Sequence, residues 1–228
     1  MAKKLGLMKK IYQLYLSLSK KYGSPKEFWI KWCKKQKTKQ NREDIALGAI
    51  LTQRTNWRNV ELAFKNLKSA KVLSIRGIYR LSKQNKNLLE NLVRPSGFYK
   101  QKAQRISQFC EFIIKNYGSL EKFFEQDLET CREQLLEING IGPETADSIL
   151  LYAGNKPIFV IDEYTRRLVK KQKIAKRLSY SHLQRLFEQS LPKDVRVYQD
   201  FHAMIVLESK GLKAGKQTSS IYARKLLS

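Results

Sequence analysis

Acidic residues are scarce in this chain of 228 residues: 20 Asp and Glu stand against 45 Lys and Arg, a formal charge of +25. Such an imbalance directs attention to polyanionic partners, with nucleic acid ahead of anionic membrane because no segment joins a broad lipid-facing side to a uniformly basic one. Cysteine is as sparse. Cys33, Cys110 and Cys131 are the whole complement, too few and too scattered for a disulfide framework or a Cys-x-x-Cys zinc site, and they read as small core residues in a reducing compartment. His182 and His202 have no ligand-like spacing, so no metal is expected. With 11 Gly and 5 Pro the chain lacks the frequent turns of an all-β fold. Long apolar runs are missing too: residues 157–161 and 203–207 fall far short of the roughly 20 needed to span a bilayer. The basic start Met1–Leu5 leads into no apolar signal core, because Lys9, Lys10 and Gln13 interrupt it. A cytoplasmic protein is expected, nucleoid-associated in a bacterium.

What is present is helical periodicity, and 42% hydrophobic residues are enough to fill a core. An all-α fold follows. A first helix over Leu7–Tyr22 gathers Ile11, Leu14, Tyr15 and Leu18 on one side and stops at Gly23-Ser24-Pro25. A second starts from Ser24 and carries Phe28, Trp29 and Trp32. The basic stretch over 34–43 reads as an exposed loop, after which Asp44 opens a largely buried helix through Ile45–Leu51. Further helices are expected over 57–69, 75–81, 86–92, 100–117, 120–126, 131–137, 144–152, 164–171, 181–189 and 195–209. No repeat at a solenoid period occurs.

The densest chemical information lies in Leu135–Asp147, where Gly140-Ile141-Gly142-Pro143 separates two helical stretches. Two glycines let backbone approach a phosphate closely, Ile141 tucks between the helices, and Pro143 opens a helix whose free N–H groups point outward. Gly140, Ile141, Gly142 and Thr145 are therefore candidates for holding a DNA phosphate without reading sequence. An ordinary αα-hairpin with a glycine cap is the plain alternative. Downstream, the apolar run Pro157–Ile161 delivers Asp162 to the start of a helix, where an Asp also serves as a simple N-cap.

The hairpin followed at this distance by Asp162 resembles the helix-hairpin-helix, Gly/Pro-rich loop, Asp (HhH-GPD) superfamily of DNA base-excision glycosylases, in its endonuclease III-like branch. Three further segments carry the likeness: Gly48–Trp57, Val93–Ala103 and Phe201–Val206. The resemblance implies two helical lobes with the active site in the cleft between them. A six-helix barrel over 37–156 would end in the hairpin, and residues 1–36 with 157–228 would form the second lobe. It also implies a role for each of several residues. Asp162 would be the catalytic carboxylate, stabilising a developing oxocarbenium sugar and orienting water. Gln53 would be the polar wedge entering the space of a flipped nucleotide. Lys100 and Lys102 would meet phosphates. Trp57, and then Trp29 and Trp32, would be aromatic candidates for a base pocket.

Two departures narrow the activity. Bifunctional members of the superfamily carry a nucleophilic Lys just before the hairpin's Thr-Ala, and here that position is Glu144, which cannot form an imine. Many endonuclease III relatives follow the Phe-His-Ala segment with four cysteines for a [4Fe–4S] cluster, whereas residues 203–228 contain none. Lys210, Lys213, Lys216, Arg224 and Lys225 stand there instead, and 12 lysines against Glu27 fill the first 40 residues. The reading is a monofunctional, cofactor-free DNA N-glycosylase that works as a monomer on duplex DNA containing a damaged base. Alkylated purines such as 3-methyladenine suit it best, with Glu144 in the base pocket. A glycosylase/AP lyase for oxidised or mismatched bases and a non-catalytic helix-hairpin-helix DNA-binding protein remain the alternatives.

Overall fold

Helix starts in this chain are written in short polar side chains. The computed structural model describes residues 2–23, 32–33 and 36–211, and among them the regular elements are helices, with no strand. The helices are α1 (Ala2–Tyr22), α2 (Lys39–Leu51), α3 (Trp57–Ser69), α4 (Ile75–Gln84), α5 (Lys86–Val93), α6 (Tyr99–Asn116), α7 (Leu120–Glu125), α8 (Leu128–Glu137), α9 (Pro143–Ser148), α10 (Glu163–Lys171), α11 (Tyr180–Ser190) and α12 (Val195–Ser209). Asn56, Ser74, Asn85, Ser119, Asp127, Asp162 and Asp194 each accept a first-turn N–H as N-caps. Thr38 does the same for α2 and forms a reciprocal capping box with Asn41. That box corrects the expected loop over 34–43, because it starts the helix at Lys39, ahead of Asp44. The helix expected from Ser24, with Phe28 and Trp29, falls outside the described residues.

Packing sorts the helices into two groups. In one, α6 lies against α2, α4 and α5, α3 packs on α5, and α2 contacts α7 and α9. In the other, α1 packs on α11 and α12, and α10 on α12, so that the first helix and the last two belong together. Segment Ile149–Ala153, which continues α9 as a π-helix, touches both α2 and α12. Its wider turn releases carbonyls from the regular ladder. Gln199 donates to Leu151 O (2.7 Å), the Lys156 N–H donates to Leu150 O (2.9 Å), and the Arg42 guanidinium reaches Ala153 O. The buried residues Ile158–Ile161 then carry the chain through the core in extended form. Their polar backbone is met by α11: Phe159 N–H donates to Glu188 (2.9 Å) and Phe159 O accepts from Gln184 (2.8 Å). The Phe159 ring seats against Phe187 with centroids 4.7 Å apart.

A buried carboxylate joins this segment to the hairpin. Asp147 on α9 is fully buried and accepts two bonds from Arg132 on α8 (2.8 and 3.3 Å), one from the Tyr180 hydroxyl (2.7 Å) and one from Gln184 (2.6 Å). Removing one side of such a pair leaves the other charge uncompensated, so Asp147→Ala should cost about 3–5 kcal/mol in urea denaturation. A loss below about 1 kcal/mol would contradict the bridging role.

Lys102 requires a correction. The expected phosphate contact is instead buried in the core, where its ammonium donates to Leu51 O at the end of α2 (2.8 Å) and to Ser96 O (2.5 Å). Two carbonyls left bare by helix ends attract the long Lys102 side chain, which reaches both. Burial pushes Lys102 down to about 8, against ~10.4 for an unfolded lysine. Between those values the unfolded chain holds the extra proton, so stability from this site is complete above the upper value and is lost as pH falls through the lower one. Wild type should therefore gain on Lys102→Met as pH rises from about 8 to about 10, at up to about 1.4 kcal/mol per pH unit. A pH-independent difference in urea midpoints would refute the assignment.

Candidate active site and nucleic-acid interface

The hairpin turn is shaped from within. Ile138, Ile141 and Leu135 are buried, and the Ile141 N–H donates back to Ile138 O (2.9 Å). Gly140 has φ +84°, and any Cβ there would also overlap the Arg105 side chain. Gly142 by contrast borders open space, with Pro143 at the first turn of α9. The accessible face of the turn is thus backbone at Gly142 and the start of a helix, a suitable seat for a phosphate. Thr145 faces the other way: its hydroxyl is buried and accepts from Gln53 Nε2 (2.9 Å). The same amide donates to Gly140 O (2.9 Å), while Gln53 Oε1 accepts from Arg105 (2.5 Å). Gln53 therefore braces the hairpin against α2 and α6, and any entry into DNA would require exchanging those bonds.

Asp162 lies where the buried extended segment meets α10. Its Oδ1 accepts from the Thr165 N–H (2.7 Å) and the Thr165 hydroxyl (2.8 Å). Its Oδ2 lies 3.3 Å from His202 Nε2, and the side chain keeps 14% of its surface exposed, enough for a water or a sugar to reach it. Burial raises the carboxyl's pKa, but the His202 ring and then the Thr165 donors outweigh it, leaving Asp162 below the usual Asp range and ionised. Glu144 stands at the rim with about half its side chain exposed, and its carboxylate is 3.8 Å from Arg166. Partial burial, followed by the repulsion of Asp162, pushes Glu144 above the usual carboxylate range, with Arg166 opposing. Two neighbouring carboxyl groups are thereby driven apart in acidity.

Aromatic rings line the approach. Trp57 rests on α2 where Gly48 leaves room, since a Cβ at that position would come within 3.1 Å of the indole. Its Nε1 donates to Glu61 (3.0 Å). Trp32 meets Trp57 edge-on at 5.5 Å and Tyr152 at 5.2 Å, and the Tyr152 hydroxyl is 2.7 Å from His202 Nδ1. A continuous chain of contacts thus runs from Trp57 through Trp32, Tyr152 and His202 to Asp162. Trp29 lies outside the described residues, as do Lys213, Lys216, Arg224 and Lys225. Lys100 is exposed at the start of α6, while Lys102 is withdrawn into the core as described above.

Sequence reasoning missed Tyr152, His202, Thr165, Arg105 and Phe98. The sequence offers His202 within the Phe201–Val206 likeness and without ligand-like spacing, and no periodicity announces the π-helix that carries Tyr152. Phe98 precedes α6 in left-handed backbone (φ 45°) with 57% of its surface exposed. A bulky side chain held open in that conformation is the kind of local strain that functional sites retain.

Comparison with known proteins agrees with this geometry. The HhH-GPD superfamily of base excision DNA repair proteins matches residues 47–193. A Methanocaldococcus jannaschii protein carrying the name of a DNA repair glycosylase is 39% identical over 203 residues, 88% of this chain and 87% of its own. A 3-methyladenine DNA glycosylase of H. pylori, solved with 1,N6-ethenoadenine bound, superimposes with a TM-score of 0.72 at 30% identity, covering 91% of this chain and 99% of that one. An endonuclease III–DNA complex shares the fold at a TM-score of 0.65 and 16% identity, with 90% and 84% covered. With the family match over most of its length and these relatives, the chain belongs to the HhH-GPD superfamily and is a DNA glycosylase of base excision repair.

Proposed function

We propose that this protein is a monofunctional glycosylase that removes alkylated purines, such as 3-methyladenine, from duplex DNA as a monomer with water as the nucleophile. The observation that carries the reading is an ionised Asp162 at the cleft with Glu144, not an amine, beside it. A purine methylated at N3 or N7 already bears positive charge. When its bond to C1′ breaks, the electron pair stays with the base, which departs neutral and needs no strong general acid. The sugar becomes oxocarbenium-like, and a nearby carboxylate lowers that charge's energy most in the transition state. Water then adds to C1′ and releases its proton toward Asp162 or solvent.

The substrate class draws support from the rings and from kinship. Trp32 and Trp57 offer electron-rich faces that attract a cationic base more than its neutral parent. The H. pylori relative is a 3-methyladenine DNA glycosylase. The hairpin and Lys100 would hold phosphates, and Gln53 or the exposed Phe98 would fill the space the flipped nucleotide leaves, an amide bonding to an orphan base or a ring stacking on one. A [4Fe–4S] cluster does not fit the donors present. No cysteine follows Phe201-His202-Ala203, and the Cys33, Cys110 and Cys131 thiols are buried, with burial raising the pKa of each.

Asp162→Asn should lower base release from a methylated duplex by at least about 10²-fold while leaving binding to undamaged DNA within a few-fold. Undiminished excision would sink the assignment. Borohydride should trap no covalent enzyme–DNA adduct under conditions of full excision; efficient trapping would show an amine nucleophile and favour the lyase reading. The excess charge of +25 acts as a search force independent of sequence, so rising salt should weaken binding to damaged and undamaged duplexes in parallel. Salt-insensitive affinity would contradict it.

A further inference from the structure

We propose that Tyr152 and His202 are positioning residues that hold the Asp162 carboxylate ionised and aimed at the sugar. The proposal rests on the reading of Asp162 as the catalytic carboxylate and adds to it two residues that touch no substrate atom.

The geometry is a buried relay. The Tyr152 hydroxyl is fully buried and stands 2.7 Å from His202 Nδ1 and 3.4 Å from Gln199 O. His202 is 5% exposed, and its Nε2 lies 3.3 Å from Asp162 Oδ2. A bare nitrogen lone pair opposite a carboxylate oxygen would be repulsive, so Nε2 carries a proton. The shorter Tyr152 contact places the phenol's single proton on Nδ1, which selects the neutral tautomer with its remaining N–H directed at Asp162. Burial raises the Tyr152 phenol well above its ordinary pKa, so it stays a donor wherever the enzyme works. A neutral imidazole donor differs from a lysine or arginine in one respect that matters for the reaction. It orients the carboxylate through one oxygen and leaves in place the negative charge that the sugar requires.

The arrangement depends on the π-helix. Tyr152 sits inside Ile149–Ala153, whose wider turn sets the ring between Trp32 (5.2 Å) and His202 (5.8 Å). The base-pocket aromatics and the carboxylate thus share one buried neighbour. Other titratable groups around the Asp162–Glu144 pair are Glu144 itself from α9, and Glu163, Tyr164 and Arg166 from α10. His202 stands on a separate helix, α12, with Nε2 3.3 Å from Asp162 Oδ2, while Thr165 donates to Oδ1.

The test compares His202→Leu, His202→Gln and Tyr152→Phe with wild type, by single-turnover excision across pH and by 13C-NMR titration of the Asp162 carboxyl. Asp162→Asn identifies the resonance among the six aspartates. Losing His202 leaves only the Thr165 donors to oppose burial, so the acid limb of the rate profile and the Asp162 titration should both move to higher pH in His202→Leu. The rate at neutral pH should fall about 10- to 100-fold, as for a lost hydrogen bond to a charged group. His202→Gln, which returns an N–H to the same place, should restore most of both, and Tyr152→Phe should shift them in the direction of the Leu variant but less. Unmoved titration and acid limb in His202→Leu, or a Gln variant no better than Leu, would reduce His202 to packing and overturn the proposal. If wild type excises no lesion, the proposed function falls, and the NMR titration still decides whether His202 governs the carboxylate.

Discussion

The join between the hairpin and the segment leading to Asp162 depends on where Asp147 is held. This one carboxylate, fully buried, takes bonds from Arg132 on α8 and from Tyr180 and Gln184 on α11. Gln184 also donates to Phe159 O in the extended segment that ends at Asp162. The hairpin helices and the segment that ends at Asp162 are thereby tied to each other through one buried side chain. Buried ion pairs of this kind add little net stability, because desolvation offsets most of their attraction. Their return is definition of geometry, which a glycosylase needs if the phosphate it grips is to set the sugar it attacks.

Charge acts on two scales in this molecule. The overall excess of +25 operates through solvent and counterions and brings any duplex to the surface. Around the candidate site the charge is of the opposite sign, on the mostly buried Asp162 and near it on the half-exposed Glu144. Arg166 lies 3.8 Å from Glu144 and moderates the repulsion between the two carboxyl groups. A basic exterior and an acidic, aromatic interior suit a positively charged base held in a polyanion.

Most of the fold was legible in the sequence because its determinants are local. Apolar positions at helical spacing, Ser, Thr, Asn and Asp caps, and Gly-x-Gly-Pro at the hairpin place helices and turns without reference to distant residues. Asp162 was legible through its spacing from the hairpin, and Glu144 through what it replaces. The failures have a common physical origin. Lys102 reads as a surface lysine because nothing in its neighbourhood reveals that Leu51 O and Ser96 O converge on it. Tyr152 and His202 become partners only when the π-helix and α12 pack together, 50 residues apart in the chain. The N-terminal reach of α2 was missed because a basic stretch suggested solvent, although Thr38 and Asn41 carry a capping box.

The account's central claim is that an ionised Asp162 directs water, with no amine, to the sugar of an alkylated nucleotide. Mass spectrometry of both products from one turnover on a duplex with a single 3-methyladenine tests it most directly. The account predicts free 3-methyladenine together with an unbroken strand bearing an abasic sugar, its new C1′ oxygen labelled when the reaction runs in H2 18O. A strand cleaved on the 3′ side of the abasic site by the purified enzyme, or no free base at all, would contradict it.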